Sequence, residues 1–288
     1  MLAIVLKEFK SRMRGWRTPV VLTLYVGILA AIAYTQADSI ANRSVYGGNN
    51  SPAAQGLEIF STLAGFQLAL LIFLSPALSA GAVAGERERQ TFDLLLCTGL
   101  SAPSIVLGKY LASLAFILLL LWAALPVFSL AFLFGGVTPL AIALVLLLCF
   151  ATATSITGLT ILVSALFNRV QVATAIAYAL VFFQTVGLGV FSGFSTFFST
   201  SGSAPPLVAF VSPISAMVSL LSTEGSYYAE LSSLPLPEFV YRALPWLAQV
   251  RLALWEINIV FDLTIAICCI VFASYAIRPT RRVPRLRR

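Results

Sequence analysis

GERERQTFDLLLCTGLSAPSIVLGK, residues 85–109, is a charged and then amphipathic stretch set between two long apolar runs. The runs 57–84 and 105–134 are each long enough to cross a bilayer, because about 20 residues at 1.5 Å rise cover roughly 30 Å of hydrocarbon. The stretch between them must therefore sit in water or against a soluble protein.

Composition extends that reading to the whole chain, residues 1–288. With 59% hydrophobic residues, 10% charged residues and a mean hydropathy of +0.96, there is too little polar surface for a soluble globule. Lipid has to be the solvent for most side chains. An all-α integral membrane protein with six spans is expected, at 18–36, 57–84, 105–134, 140–167, 172–198 and 252–277.

Cationic loops stay cytoplasmic, so Lys and Arg set the orientation. Lys7, Lys10, Arg12, Arg14 and Arg17 precede the first span, and Arg87, Arg89 and Lys109 lie between the second and third. Arg169 lies between the fourth and fifth, and the tail 278–288 reads RPTRRVPRLRR. Only Arg43, Arg242 and Arg251 of the 18 basic residues are left for the other side. Both termini are expected in the cytoplasm, the protein in the plasma membrane, and the cell to be bacterial.

A seventh span at 205–222 is the rival topology. Pro213 interrupts it, and an odd count would export the basic tail. Segment 199–250 is read instead as extracytoplasmic, with re-entrant or interfacial helices broken by Pro235, Pro237 and Pro245 and anchored by Tyr227, Tyr228, Tyr241 and Trp246. Residues 1–17 place Leu2, Val5, Leu6, Phe9 and Met13 on one helical face and Lys7, Lys10 and Arg14 on another. That suits an amphipathic helix lying on anionic membrane lipids, with a signal peptide as the alternative. The tail has no interleaved aromatics and follows a span directly, so lipid attraction explains it better than nucleic acid does.

Absences bound the chemistry. There is no Gly-rich loop ending in Lys-Ser or Lys-Thr to cradle nucleotide phosphates, so ATP hydrolysis of the P-loop kind must come from another subunit. The chain has no histidine, which excludes His-based zinc proteases and Ser-His-Asp hydrolases. Cys97, Cys149, Cys268 and Cys269 lack zinc-like spacing. No catalytic residues and no metal site are assigned, and the chain is not expected to be an enzyme.

Within 85–109, Glu86, Arg87 and Glu88, then Thr91, Asp93, Leu94, Leu95 and Leu96, then Thr98, Leu100, Ser101, Gly108 and Lys109 resemble the cytoplasmic loop of ABC transporter permeases of the type 2 exporter family. Gln90 stands where that pattern has Gly, Phe92 where it has Leu, and Gly99 where it has Pro. Val211-Ser212-Pro213-Ile214 is similar to the short Pro-containing element after the fifth span of that family. The resemblance implies a coupling helix in the loop 85–104, two cytoplasmic P-loop ATPase subunits carrying ATP and Mg, and a second permease copy or homologue. It implies export rather than import, since the loop does not resemble the Glu-Ala-Ala loop of binding-protein-dependent importers.

The residues of the loop carry a physical reading of their own. Glu86, Arg87, Glu88 and Asp93 offer polar anchors beside Thr91, while Phe92, Leu95 and Leu96 form an apolar edge suited to a partner's groove. A solvated connector is the bland alternative. Ala77, Gly81 and Gly85 recur at the spacing that lets helices approach closely, within the chain or in a dimer. Ser75-Pro76 is positioned to kink the second span. Gln67, Gln184 and Thr185 are candidates for a substrate path, or for interhelical hydrogen bonds. Asp262 is a candidate gating residue, with interfacial solvation as its alternative. A lipophilic or amphipathic exported substrate is expected; an ATP-independent carrier or channel, or an assembly scaffold, is the competing class.

Overall fold

The computed structural model describes residues 10, 15–45, 51–92, 101–190, 211–224 and 254–277. Its helices are α1 (Arg17–Val45), α2 (Pro52–Ser79), α3 (Gly81–Glu88), α4 (Ala102–Phe134), α5 (Pro139–Leu166), α6 (Val170–Phe182), a π turn (Phe183–Gly187), α7 (Pro213–Glu224) and α8 (Leu254–Ala276). No strand occurs among the described residues. Six helical stretches are long and apolar enough to cross a membrane: Thr18–Asn42, Pro52–Glu88, Ala102–Phe134, Pro139–Leu166, Val170–Val190 and Leu254–Ala276. Of the rival seventh span, residues 205–210 lie outside the described residues and 213–222 belong to α7. Of the expected segments, most of 1–17, the residues 93–100, 191–210 and 225–253, and the tail 278–288 lie outside the described residues.

Local sequence sets the helix starts. Ser51 and Thr138 cap α2 and α5, accepting from Ala54 N–H at 3.4 Å and Ala141 N–H at 3.1 Å, with Pro52 and Pro139 next in line. A side-chain oxygen satisfies an orphan amide there, and Pro has no N–H to lose in a first turn. Between α4 and α5 the chain reverses at Gly135 and Gly136, with φ of 85° and 79°. A side chain on Gly136 would run into the Ala53 backbone, and one on Gly56 into the Gly135 carbonyl. Glycine is needed at this crossing because the turn lies directly on the first turns of α2.

α5 is the central helix. Its sequence ATATSITGLT (151–160) is small and weakly polar on every face, and nearly all of it is buried. The most extensive interface in the bundle is between α5 and α8. A Cβ on Gly158 would lie 3.2 Å from Ala266 Cα, so the two backbones are nearly in contact. In lipid, helices associate through such close packing rather than through exclusion of water. The hydroxyls of Thr154, Ser155 and Thr160 return to carbonyls one turn earlier, at 2.6, 2.9 and 2.7 Å. They cost little to bury for that reason.

α2 and α4 pack on α5 and on each other, with the Phe60 and Phe128 rings edge to face at 6.0 Å. α1 lies at the periphery, against α2 and α4, through Tyr25, Leu29, Ala33 and Ile40. Outward faces carry Phe73, Trp122, Leu133, Phe182, Ile267 and Phe272, all exposed. A continuous apolar exterior of this kind fits hydrocarbon, not water.

Candidate functional site

The second span is interrupted a turn beyond Pro76, with Ala80 keeping right-handed helical dihedrals. Pro76 is inside α2, Ser75 and Ser79 hydroxyls turn back onto the carbonyls of Leu71 and Ser75, and the helix is interrupted at Ala80 before resuming as α3. α3 carries Glu86, Arg87 and Glu88. Lys109, in the first turns of α4, donates to Glu86 Oε1 at 2.6 Å; Lys109 is 4% exposed and Glu86 26%. The ion pair ties the two ends of the loop 85–109 together.

Arg87 places its guanidinium 5.2 Å over the Phe92 ring and donates to Asn168 Oδ1 at 3.4 Å. Glu88 Oε2 accepts from Val170 N–H at 3.0 Å. Phe92, expected to enter a partner's groove, is 8% exposed and belongs to this chain's own core. The residues open to a partner are Glu88, Arg89, Gln90 and Thr91. Asp93, Leu95 and Leu96 lie outside the described residues. Gly81 and Gly85 face Val170, which a Cβ on either would meet at 3.8 or 3.7 Å. Gly85 is half-buried against α6, while Ala77 and Gly81 of the same face are exposed.

α3 ends in a Schellman turn. Gln90 N–H donates to Arg87 O at 3.1 Å and Thr91 N–H to Glu86 O at 3.0 Å. Gln90 adopts φ of 57°, the left-handed conformation that usually belongs to glycine. The local bend of the family pattern is thus kept without its glycine.

In the interior, Gln67, Gln184 and Thr185 are not brought together. Gln67 is 0% exposed, beside the Tyr25 hydroxyl of α1, and neither amide atom has a hydrogen bond of good geometry among the described residues. Gln184 is buried in the π turn. Thr185 borders an open apolar cleft of about 970 Å³ between α2, α6 and α7, along with Gly65, Phe73, Tyr178, Met217 and Leu221. Tyr178 OH donates to Phe73 O at 2.8 Å across its wall, and Ser212 donates to Thr185 O at 3.2 Å, joining the π turn to the start of α7. π turns free backbone groups in this way and recur at functional sites.

Asp262 of α8 is 0% exposed, so interfacial water does not reach it. Thr152 and Ser155 of α5 lie next to it, but neither carboxylate oxygen has a hydrogen bond of good geometry among the described residues. Asn258, one turn earlier, is also fully buried. The polar seam between α5 and α8 was visible in the sequence only as scattered Thr and Ser. Ser164 and Asn168 likewise carry no motif. Among the described residues no three His, Cys, Asp or Glu side chains gather as a metal site.

Comparison with curated proteins gives no match. Residues 2–272 match the family described as ABC-2 family transporter protein, a span that includes every helix of the bundle but the end of α8. With six helices able to cross a membrane and a family match over nearly its whole length, the chain belongs to the ABC-2 family and is a membrane permease of an ABC-type transporter.

Proposed function

We propose that this permease is the transmembrane half of an ATP-driven exporter of lipophilic or amphipathic molecules. Two separate cytoplasmic ATPase subunits, which carry ATP and Mg, drive a pair of permeases made of this chain and a second copy or homologue. Both termini face the cytoplasm, as the distribution of Lys and Arg requires. The observation that carries this reading is the mount of α3: an exposed tip, Glu88–Thr91, on a helix held to α4 by the Glu86–Lys109 pair. A tip on a rigid mount passes a push on to two spans at once, where a solvated connector would absorb it. The apolar cleft supports a lipophilic substrate, since its walls offer few polar groups to a hydrophilic one.

Charge reversal at the exposed Arg89 tests the reading. Arg89→Glu should lower the amount of ATPase that co-purifies with the full chain and uncouple ATP hydrolysis from transport in vesicles. Unchanged ATPase binding and coupling would remove the tip from the contact, and transport by a chain that binds no ATPase would favour a carrier that needs none.

A further inference from the structure

Two helices at this end of the bundle begin without a cap of their own. α3 starts after Ala80 and α6 after Arg169, and neither of these residues supplies a side-chain acceptor. The first amides of any helix lack intrahelical carbonyls, and the usual remedy is an oxygen from the residue at the helix start. Here the oxygen comes from elsewhere in both cases. Ser164 of α5 accepts from Val83 N–H at 3.0 Å and Ala84 N–H at 2.9 Å, and is itself fully buried. Glu88 of α3 accepts from Val170 N–H, at the start of α6, where a carboxylate is also favoured by the helix dipole. Arg87 adds its bond to Asn168. Beneath these contacts Ala84, Val163, Ala173 and Ala177 form a small apolar cluster of their own.

We propose that Ser164 is the positioning residue of the α3 tip, and that the tip and the turn 167–169 form one composite docking surface for the ATPase. The proposal rests on the reading of the chain as an ATP-driven permease. Ser164 ties α3 to the end of α5 and Glu88 ties it to the start of α6, so α3 cannot tilt without loading the turn between those two helices, and the break at Ala80 separates this assembly from the rest of α2. Motion imposed on the tip then reaches the fifth span directly, as well as the second and third. The surface itself is basic. Arg89 on the tip and Arg169 on the turn are both exposed, and they outnumber the exposed Glu88 carboxylate, whose Oε2 caps α6. An ATPase face with an acidic rim is its electrostatic complement.

The test uses the full chain, purified from membranes with the P-loop ATPase it retains. Arg169→Glu should reduce retained ATPase activity about as much as Arg89→Glu does. In hydrogen exchange of the same complex, Ser164→Ala should speed exchange of the amides at 83 and 84 about tenfold, the size expected for a lost cap. Ser164→Thr, which keeps the oxygen, should not. Amides in 105–120 should be unaffected by either change. Retention lost in Arg89→Glu but kept in Arg169→Glu would overturn the composite surface and leave the ATP-driven reading standing. Retention unaffected by both would overturn the composite surface, whereas a chain that retains no P-loop ATPase and transports without ATP would overturn the ATP-driven reading itself. Unaltered exchange at 83 and 84 in Ser164→Ala would remove Ser164 from its role.

Discussion

Lys109 and Glu86 form a 2.6 Å ion pair that closes the loop between the second and third spans, with the ammonium almost wholly buried and the carboxylate partly open. Removing one member leaves the other charge in a poor solvent. Fully buried pairs lose about 3–5 kcal/mol on such a change, and the partial exposure of Glu86 lowers the expected loss to about 2–3 kcal/mol. Glu86→Gln and Lys109→Met should each lower the thermal midpoint of the detergent-solubilised protein. The double variant should be less damaged than the two effects added together, because it leaves no isolated charge. Simple additivity would mean that the pair contributes nothing beyond its separate residues.

Gln90 is held at φ of 57° by the Schellman turn that ends α3. A side chain in that region costs about 1–2 kcal/mol relative to the right-handed one, and glycine avoids the cost while gaining freedom when unfolded. Gln90→Gly should therefore stabilise the protein by about 0.5–1 kcal/mol. The readout is a raised thermal midpoint. A fall would indicate that the Gln90 side chain makes a contact worth more than the strain.

The membrane class and the six spans were legible because apolar runs, basic flanks and Pro or Gly punctuation are local signals. What the sequence could not give was the partner of each group. Phe92 looked like an exposed anchor, yet three-dimensional packing turns it inward beneath Arg87. Gln67 and Thr185 are both buried, but only Thr185 reaches the cleft, while Gln67 lies beside Tyr25. Asp262 could be read as solvated at the interface because nothing in its local sequence gives its rotation toward α5. Ser164 is one hydroxyl among many in an apolar helix, and its partners lie about 80 residues away in sequence.

Asp262 has no countercharge or well-formed hydrogen bond among the described residues and no access to water. A charged aspartate at a helix centre in a bilayer is disfavoured by roughly 2.5–3.5 kcal/mol, and a neutral side chain of the same shape avoids that. Asp262→Asn should raise the thermal midpoint, with a gain of about 1–3 kcal/mol. If the residue gates transport, the same variant should transport more slowly at normal levels of assembled complex. Gained stability with wild-type transport would take Asp262 out of the mechanism, and lost stability would show that the carboxylate has a binding partner in the membrane.

Gly65 offers the cleanest probe of the cleft. It borders the open space, and a Cβ built there meets nothing within 4 Å. A larger residue at this position should project into the cleft without pressing on the packed side of α2. Replacing glycine within a helix also gains about 0.5–1 kcal/mol of propensity. Gly65→Leu should thus leave the fold intact or slightly more stable while narrowing the space between α2, α6 and α7. If lipophilic substrates pass along this wall, transport in vesicles should fall several-fold, with ATPase retention unchanged, and the loss should be steeper for bulkier substrates. Full transport activity in a stable Gly65→Leu complex would place the route elsewhere in the permease pair.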